Sequence, residues 1–440
     1  MSEPRTLQRT LGLPDLIMIV VGAVIGSGIF VVPAAVLRQS GGHVGVALLV
    51  WLVAGILSLL GALTYGELGA MKPEAGGLYA YLRDAFGPLP AFLFGWTQFL
   101  VISSGSVATL AVAFTGYLGA LVPLTPTLSR VAAVLMIVLV AAINVRGTRG
   151  SADVQNWTTG LKAGAILVMS VLLIAFGRQG GAMVQGVWPE SAGASLLLGI
   201  GLAMIGVLWA YEGWQYVTYS AGEAIDPQRI FARALFVGTA ALIAIYMLAN
   251  VAYLVALGPA GVASSERVAA DAVGALFGPT AGKLIAVIIL ISMFSAANGI
   301  TLTAPRVYFA MARDGLFFRK LADVHPRFGT PAFAIIASSA WAVLLAATGT
   351  FEQLLTYVVF VGWIFYALGA MTIFAYRRRQ PEAHRPFRVP GYPWTPLLFV
   401  VASAAIVLNT LFTQPGRALL GITVVLLGTP AFYLWRRKQD

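Results

Sequence analysis

The chain contains no cysteine, only three histidines among 440 residues, and charged side chains at just 10% of positions. Without cysteine there can be no disulfide, no thiolate catalysis and no Cys-based metal site. His43, His325 and His384 fall in separate connecting segments, so neither a metal site nor a cofactor is expected. No nucleophile motif or catalytic constellation is present, which argues against an integral-membrane enzyme. Long polar stretches are missing too. The two longest segments between apolar runs are 177–194 and 377–393, too short for a soluble domain. The N-terminus lacks the short apolar core and small-residue cleavage site of a signal peptide, so the first apolar run is expected to stay in the mature chain.

What remains is apolar. Hydrophobic residues make up 59% of the sequence and the mean hydropathy is +0.86, more apolar surface than one water-soluble core could hide. Crossing ~30 Å of hydrocarbon takes about 20 residues per helix. Twelve candidate runs begin near Asp15, Val44, Leu89, Leu128, Gln155, Ser195, Ala232, Thr280, Pro331, Leu354, Trp394 and Arg417. They are continuous and rich in Leu, Ala, Val and Gly, unlike the short alternating strands of a β-barrel. The expected fold class is therefore an all-α membrane protein with twelve transmembrane helices. With the N-terminus placed in the cytoplasm, 21 of the 28 Lys and Arg lie in or beside cytoplasmic segments, six outside, and one, Lys162, within a run. The clusters are Arg313, Arg319, Lys320 and Arg327; Arg377 to Arg379 with Arg385 and Arg388; and Arg436 to Lys438. This is the positive-inside asymmetry, with both termini cytoplasmic. It accounts for the net charge of +11 without nucleic acid.

Two runs carry backbone-freeing features at mid-membrane depth. The first contains Gly22, Gly26, Ser27 and Gly28; the sixth contains Trp209-Ala210-Tyr211-Glu212-Gly213-Trp214. Breaks at corresponding positions of two five-helix halves point to an inverted-repeat transporter, although no direct sequence similarity between the halves is visible. A break at Gly26-Ser27-Gly28 would leave free N–H groups at the positive end of a half-helix, a place for an anion. The competing reading is a small-residue face for close helix packing, since Gly22 and Gly26 stand four apart.

The chain resembles the amino acid–polyamine–organocation superfamily of secondary transporters, especially bacterial relatives of the L-type amino acid transporters. The carriers, in order, are Gly22 to Phe30, Tyr65 to Leu68, Pro73 to Tyr79, Ala85 to Trp96, Trp209 to Trp214, Gly222 to Arg229, Pro305 to Gly315 and His325 to Pro331. The resemblance implies a LeuT-like fold: a 5+5 inverted repeat with helices 1 and 6 discontinuous, followed by two C-terminal helices. The core would be 1–376, with repeats at about 13–176 and 195–376; 377–440 would hold a cytoplasmic loop and helices 11 and 12. It also implies a substrate α-carboxylate on the backbone of Ser27 and Gly28, next to Ile25, and an α-ammonium on carbonyls around Trp209, Ala210 and Glu212. Trp209 would cap the substrate and Tyr246 would contact the unwound helix, with packing roles as the alternatives.

Lys162 is either a snorkelling lysine or, as the resemblance implies, an ammonium in place of a sodium ion, bridging helix 1 carbonyls near Ile25 to the hydroxyls of Ser292 and Ser295. Glu212 has three open roles: facing the pocket, carrying a proton, or pairing with Lys162 or a tyrosine. Glu67, Glu223, Arg229 and Arg313 are inner-gate candidates, or else solvated interfacial charges. The expected function is a sodium-independent amino acid exchanger working by alternating access in the bacterial cytoplasmic membrane. The alternative is a proton-coupled amino acid or polyamine symporter on the same fold. The expected partners are an amino acid substrate and the lipid bilayer. Similar animal L-type transporters are joined to a heavy subunit by a cysteine in the loop between helices 3 and 4. Val122 to Ser129 has none, so no disulfide-linked heavy subunit is expected. Monomer and homodimer stay open.

Overall fold

In a bilayer every main-chain polar group must be satisfied within the chain, which leaves long apolar segments little choice but the α-helix. The computed structural model describes residues 7–184, 186–191 and 193–436; Arg437 and Lys438 of the last basic cluster lie outside these. The helices are α1 (Leu13–Val24), α2 (Gly28–Gln39), α3 (Val44–Met71), α4 (Leu78–Phe86), α5 (Pro88–Thr97), α6 (Ser103–Leu121), α7 (Pro126–Val145), α8 (Thr148–Phe176), α9 (Ala194–Ala210), α10 (Pro227–Ser264), α11 (Val268–Phe277), α12 (Pro279–Thr303), α13 (Pro305–Arg313), α14 (Ala332–Thr348), α15 (Phe351–Arg379), α16 (Trp394–Thr413) and α17 (Pro415–Arg436). Among the described residues the only β-type pairing is an isolated bridge between Leu11 and Ala224.

Among the described residues ten spans are long and apolar enough to cross a membrane, and α1 with α2 makes an eleventh, bent by 45°. All twelve expected runs are helical. The ninth, however, forms the 17-residue α14, shorter than the rest. The outer surfaces of α7, α8, α16 and α17 are apolar, as Leu135, Val168, Val401 and Leu427 illustrate, which is what a lipid-facing wall requires. The connection expected over Val122 to Ser129 is shorter than the sequence suggested: α7 starts at Pro126, with Thr125 capping it through a bond from the Leu128 N–H.

α1 sits at the centre, against α8, α10 and α12, while α3 packs along α10 and α6 along α12. Both described chain ends lie at one end of the bundle, with the basic clusters. There Thr10 and Leu11 donate to the Glu223 carbonyl and Trp435 packs on Phe317 and Phe318. This is called the basic end below.

Candidate functional site

The first break is built from small residues. α1 stops at Val24, Ile25 turns out of helical geometry (φ −70°, ψ 86°), and the Gly26 N–H folds back onto the Val24 carbonyl at 2.7 Å. Ser27 then caps α2 through its carbonyl, which accepts from Phe30 and Val31, while its side chain caps nothing. Among the described residues, the N–H groups of Ser27, Gly28 and Ile29 meet no acceptor. Three donors thus converge at the positive end of α2. Gly28 permits this because the α9 end is so near: a Cβ there would stand 2.4 Å from Ala210 Cα.

The carbonyls of the same break are occupied. Lys162 Nζ donates to Gly22 O (2.7 Å), Ile25 O (2.6 Å) and, more weakly, Ser292 O (3.3 Å). The Ser292 hydroxyl adds a bond to Ile25 O at 3.0 Å. Lys162 is fully buried, so it does not snorkel. It does bridge helix 1 to α12, but through the Ser292 carbonyl instead of the two serine hydroxyls expected. Ser295 accepts from Thr158 instead. The Tyr246 hydroxyl reaches Val24 O (3.0 Å) and Ala210 O (2.9 Å), tying the two breaks together.

The second break follows α9. Tyr211 to Gly213 leave the helix, Gly213 takes φ 129°, which only glycine adopts freely, and the chain resumes as a tight 3₁₀ segment over Trp214–Glu223. Of the three carbonyls expected to be free here, two have donors: Glu212 N–H bonds Trp209 O and Tyr246 bonds Ala210 O. The Glu212 carbonyl accepts no main-chain bond among the described residues. Trp209 Nε1 donates to the Ser27 hydroxyl at 3.3 Å, so its indole lies across the first break.

The Glu212 side chain does not meet Lys162. It is held by neutral donors, the Tyr366 hydroxyl (2.5 Å) and Gln215 Nε2 (2.7 Å). Between the breaks is a cavity of about 20 Å³ walled by Gly26, Ser27, Gly28, Ser106, Leu110, Trp209, Glu212 and Ile300. That is room for about one water, so the site is closed. Beyond it, at the end opposite the basic one, a wide depression of about 680 Å³ reaches Val31 and Val32 of α2 and Gly206 of α9.

The four gate candidates are not brought together. Glu223 forms a buried pair with Arg306 (2.7 Å), shared with Thr148. Glu67 is buried beneath Arg377 (2.7 Å), Arg385 and the Val389 N–H. Arg229 is exposed and reaches only its neighbour Asp226 at 3.8 Å. Arg313 is exposed and lies over the Phe309 ring. Neither arginine joins an inner network; both fit the solvated alternative. Sequence reasoning missed Arg306, Arg377, Tyr366 and Gln215 as partners. Arg306 left a signal, since an arginine between apolar residues directly after Pro305 needs a buried partner.

Two opposed helix breaks around a closed polar cavity inside a many-spanning helical bundle define a membrane transporter class. The chain belongs to the amino acid permease family, whose model matches residues 11–429. It is 33% identical over 441 residues to a serine/threonine exchanger of Bacillus subtilis, covering 100% of this chain and 99% of that one. It is 33% identical to the human b(0,+)-type amino acid transporter 1 (98% of this chain, 89% of the relative). The human large neutral amino acids transporter small subunit 2 is 31% identical (98% and 82%). These relatives are transporters, not enzymes, and the superfamily resemblance carried by the eight motifs is borne out.

Proposed function

We propose that this protein is a sodium-independent amino acid exchanger working by alternating access, with the basic end and both termini in the cytoplasm. The observation that carries it is the asymmetry of the first break: the carbonyls of Gly22, Val24 and Ile25 are met by Lys162, Tyr246 and Ser292, while among the described residues the N–H groups of Ser27 and Gly28, which line the cavity, and of Ile29 meet no acceptor. A carboxylate is the partner such donors select. The α-ammonium is assigned to carbonyls of the second break, that of Glu212 foremost. Lys162 donates to the carbonyls a sodium ion would need, which supports sodium independence. The packing of α3 on α10 and of α6 on α12 pairs each with its counterpart under the 5+5 repeat, supporting a core of two repeats with α16 and α17 added. The wall formed by Ser106, Leu110 and Ile300 suits a short side chain. The similarity to a serine/threonine exchanger makes those two amino acids the first to test.

The second reading, proton-coupled amino acid symport, is favoured by one observation: Glu212 lines the cavity with neutral partners only. Polyamines fit less well, having no carboxylate for the Ser27–Ile29 donors. Proteoliposomes separate the readings. Exchange predicts uptake that requires internal amino acid and ignores sodium. Uptake into empty vesicles driven by an imposed pH gradient overturns exchange.

A further inference from the structure

Buried hydroxyls ordinarily find a partner, because an unmade hydrogen bond in a low-dielectric interior is costly. On the basic side of Glu212 several do not. The hydroxyls of Tyr219 and Tyr81 are buried and unpartnered, as is that of Ser220, while that of Tyr376 turns toward Asp84. They are not scattered. The Tyr366 hydroxyl bonds Glu212, and the Tyr65 hydroxyl bonds the Tyr366 carbonyl at 3.0 Å. Tyr219 neighbours both Glu212 and Tyr65. The Tyr65 and Tyr81 rings are 6.5 Å apart, and Tyr81 neighbours Tyr376. Tyr376 in turn lies beside Asp84 and under Lys72, whose ion pair is partly open to solvent. The phenols thus run from Glu212 between α3, α15 and the 3₁₀ segment, past α4, to the basic surface. Two further orphan phenols, Tyr211 and Tyr253, are outside this line.

Glu212 is the group at its inner end. From the 3₁₀ segment it faces Tyr216 and Tyr219, from α15 Tyr366 and from α3 Tyr65. Among the described residues no Lys, Arg, His or other carboxylate pairs with it. An ionised carboxylate without a cation is costly inside a membrane, and taking up a proton removes that cost. Its other face lines the substrate cavity.

We propose that these hydroxyls, bridged by water, form a proton path joining Glu212 to the solvent at the basic end while the substrate cavity stays closed. Each hydroxyl or water accepts one proton and passes on another, so that the net step is one proton from bulk water to the Glu212 carboxylate, giving the neutral acid. No redox partner is involved. The path takes from the functional reading only the assignment of the basic end to the cytoplasm.

The test is infrared difference spectroscopy on oriented proteoliposomes without amino acid, with a pH jump applied to one side at a time. The protonated-carboxyl band that E212Q removes is expected to rise after acidification on the cytoplasmic side and not on the other. Y81F and Y219F, which delete the hydroxyl and keep the ring, are expected to slow its rise about tenfold or more, while thermal stabilisation by the transported amino acid is unchanged. A band that responds equally from both sides overturns the proposal. So does one that rises at the wild-type rate in both variants, or the absence of any Glu212 band. Because the band needs no substrate, failure of the exchanger reading in the transport assay leaves this result intact.

Discussion

Adding a single methyl group at Gly28 tests the central geometry. An ideal Cβ at Gly28 would lie 2.4 Å from Ala210 Cα and 2.5 Å from Ala210 Cβ. Carbon atoms pack comfortably at about 3.5–4.0 Å, so α2 and the end of α9 must part by about 1 Å. The obstacle is main chain, which has no rotamer to escape into, and Ala210 is held through its carbonyl by Tyr246. Overpacking of this kind costs about 1–3 kcal/mol, while alanine repays up to ~1 kcal/mol of helix propensity over glycine. The clash dominates, because relieving it against Ala210 shifts the start of α2, which carries the Ser27, Gly28 and Ile29 donors. A loss of ~3 kcal/mol of binding corresponds to about 100-fold in affinity.

Two other glycines make the comparison internal. At Gly26 a Cβ meets Leu110 Cδ2 at 3.0 Å and Ala296 Cβ at 3.3 Å, a side-chain contact that can give. At Gly116 on α6 nothing lies within 4 Å, so alanine there is neutral or stabilising. Equilibrium binding of the transported amino acid to purified protein should therefore fall in the order G116A, G26A, G28A, with only G28A near a hundredfold. G28A binding within threefold of wild type would refute the donor site at this break, whatever else transports.

K162M removes a donor from two close carbonyls in a fully buried site and should destabilise the protein by about 1–3 kcal/mol; an unchanged thermal unfolding temperature in detergent would show that the lysine is not needed there. E67A leaves Arg377 and the Val389 N–H without their acceptor and takes from Arg385 its ion pair. It should expose 377–393 to limited proteolysis, whereas R229A, at an exposed pair, should not. Burial would raise the Asp84 carboxyl, but bonds from Lys72 and Arg83 outweigh it and hold the group below its ordinary 3.8. A carboxyl lowered by folding contributes stability at neutral pH that is lost as the pH falls through its folded value, so wild type and D84N should differ at neutral pH and converge as the pH falls below the ordinary carboxyl value in pH-dependent unfolding.

The helices were legible because lipid imposes one solution on a long apolar run, and each of the twelve runs became a helix. The two breaks were legible for the same reason: glycines and a carboxylate at mid-membrane depth have few explanations besides a lined cavity. What stayed hidden depends on azimuth. Hydropathy does not say whether Ser292 or Ser295 turns toward Lys162, and a hundred-degree step separates one helix position from the next. The structure turns Ser292 inward to Ile25 and leaves Ser295 on Thr158. Ion pairs at the basic end were misjudged for a related reason. Arg229 and Arg313 follow the right motifs, yet the acids pair with Arg306 and Arg377, from helix ends distant in sequence. The widening to π geometry at Gln98–Ile102 had no sequence signature; its carbonyls receive Tyr308 and Trp341.

The side chains around the first break explain why it selects an anion. Breaking a helix creates orphan acceptors on one side and orphan donors on the other in equal measure, so a bare break would have no preference. Here Lys162 from α8, Ser292 from α12 and Tyr246 from α10 all donate, and all three donate to the carbonyls. The Gly22, Val24 and Ile25 carbonyls are thereby filled by the protein itself, which tips the break toward the unfilled donors at the start of α2. A proton held on Lys162 would add to this, since a cation near the break raises the potential felt by a carboxylate there. On this argument Lys162 serves the anion site twice, by occupying the competing carbonyls and by its charge. Replacing it with a neutral donor of similar reach, as in K162Q, should restore part of the fold stability lost in K162M while leaving amino acid affinity reduced. Stability and affinity recovering together would show that hydrogen bonding alone accounts for the lysine.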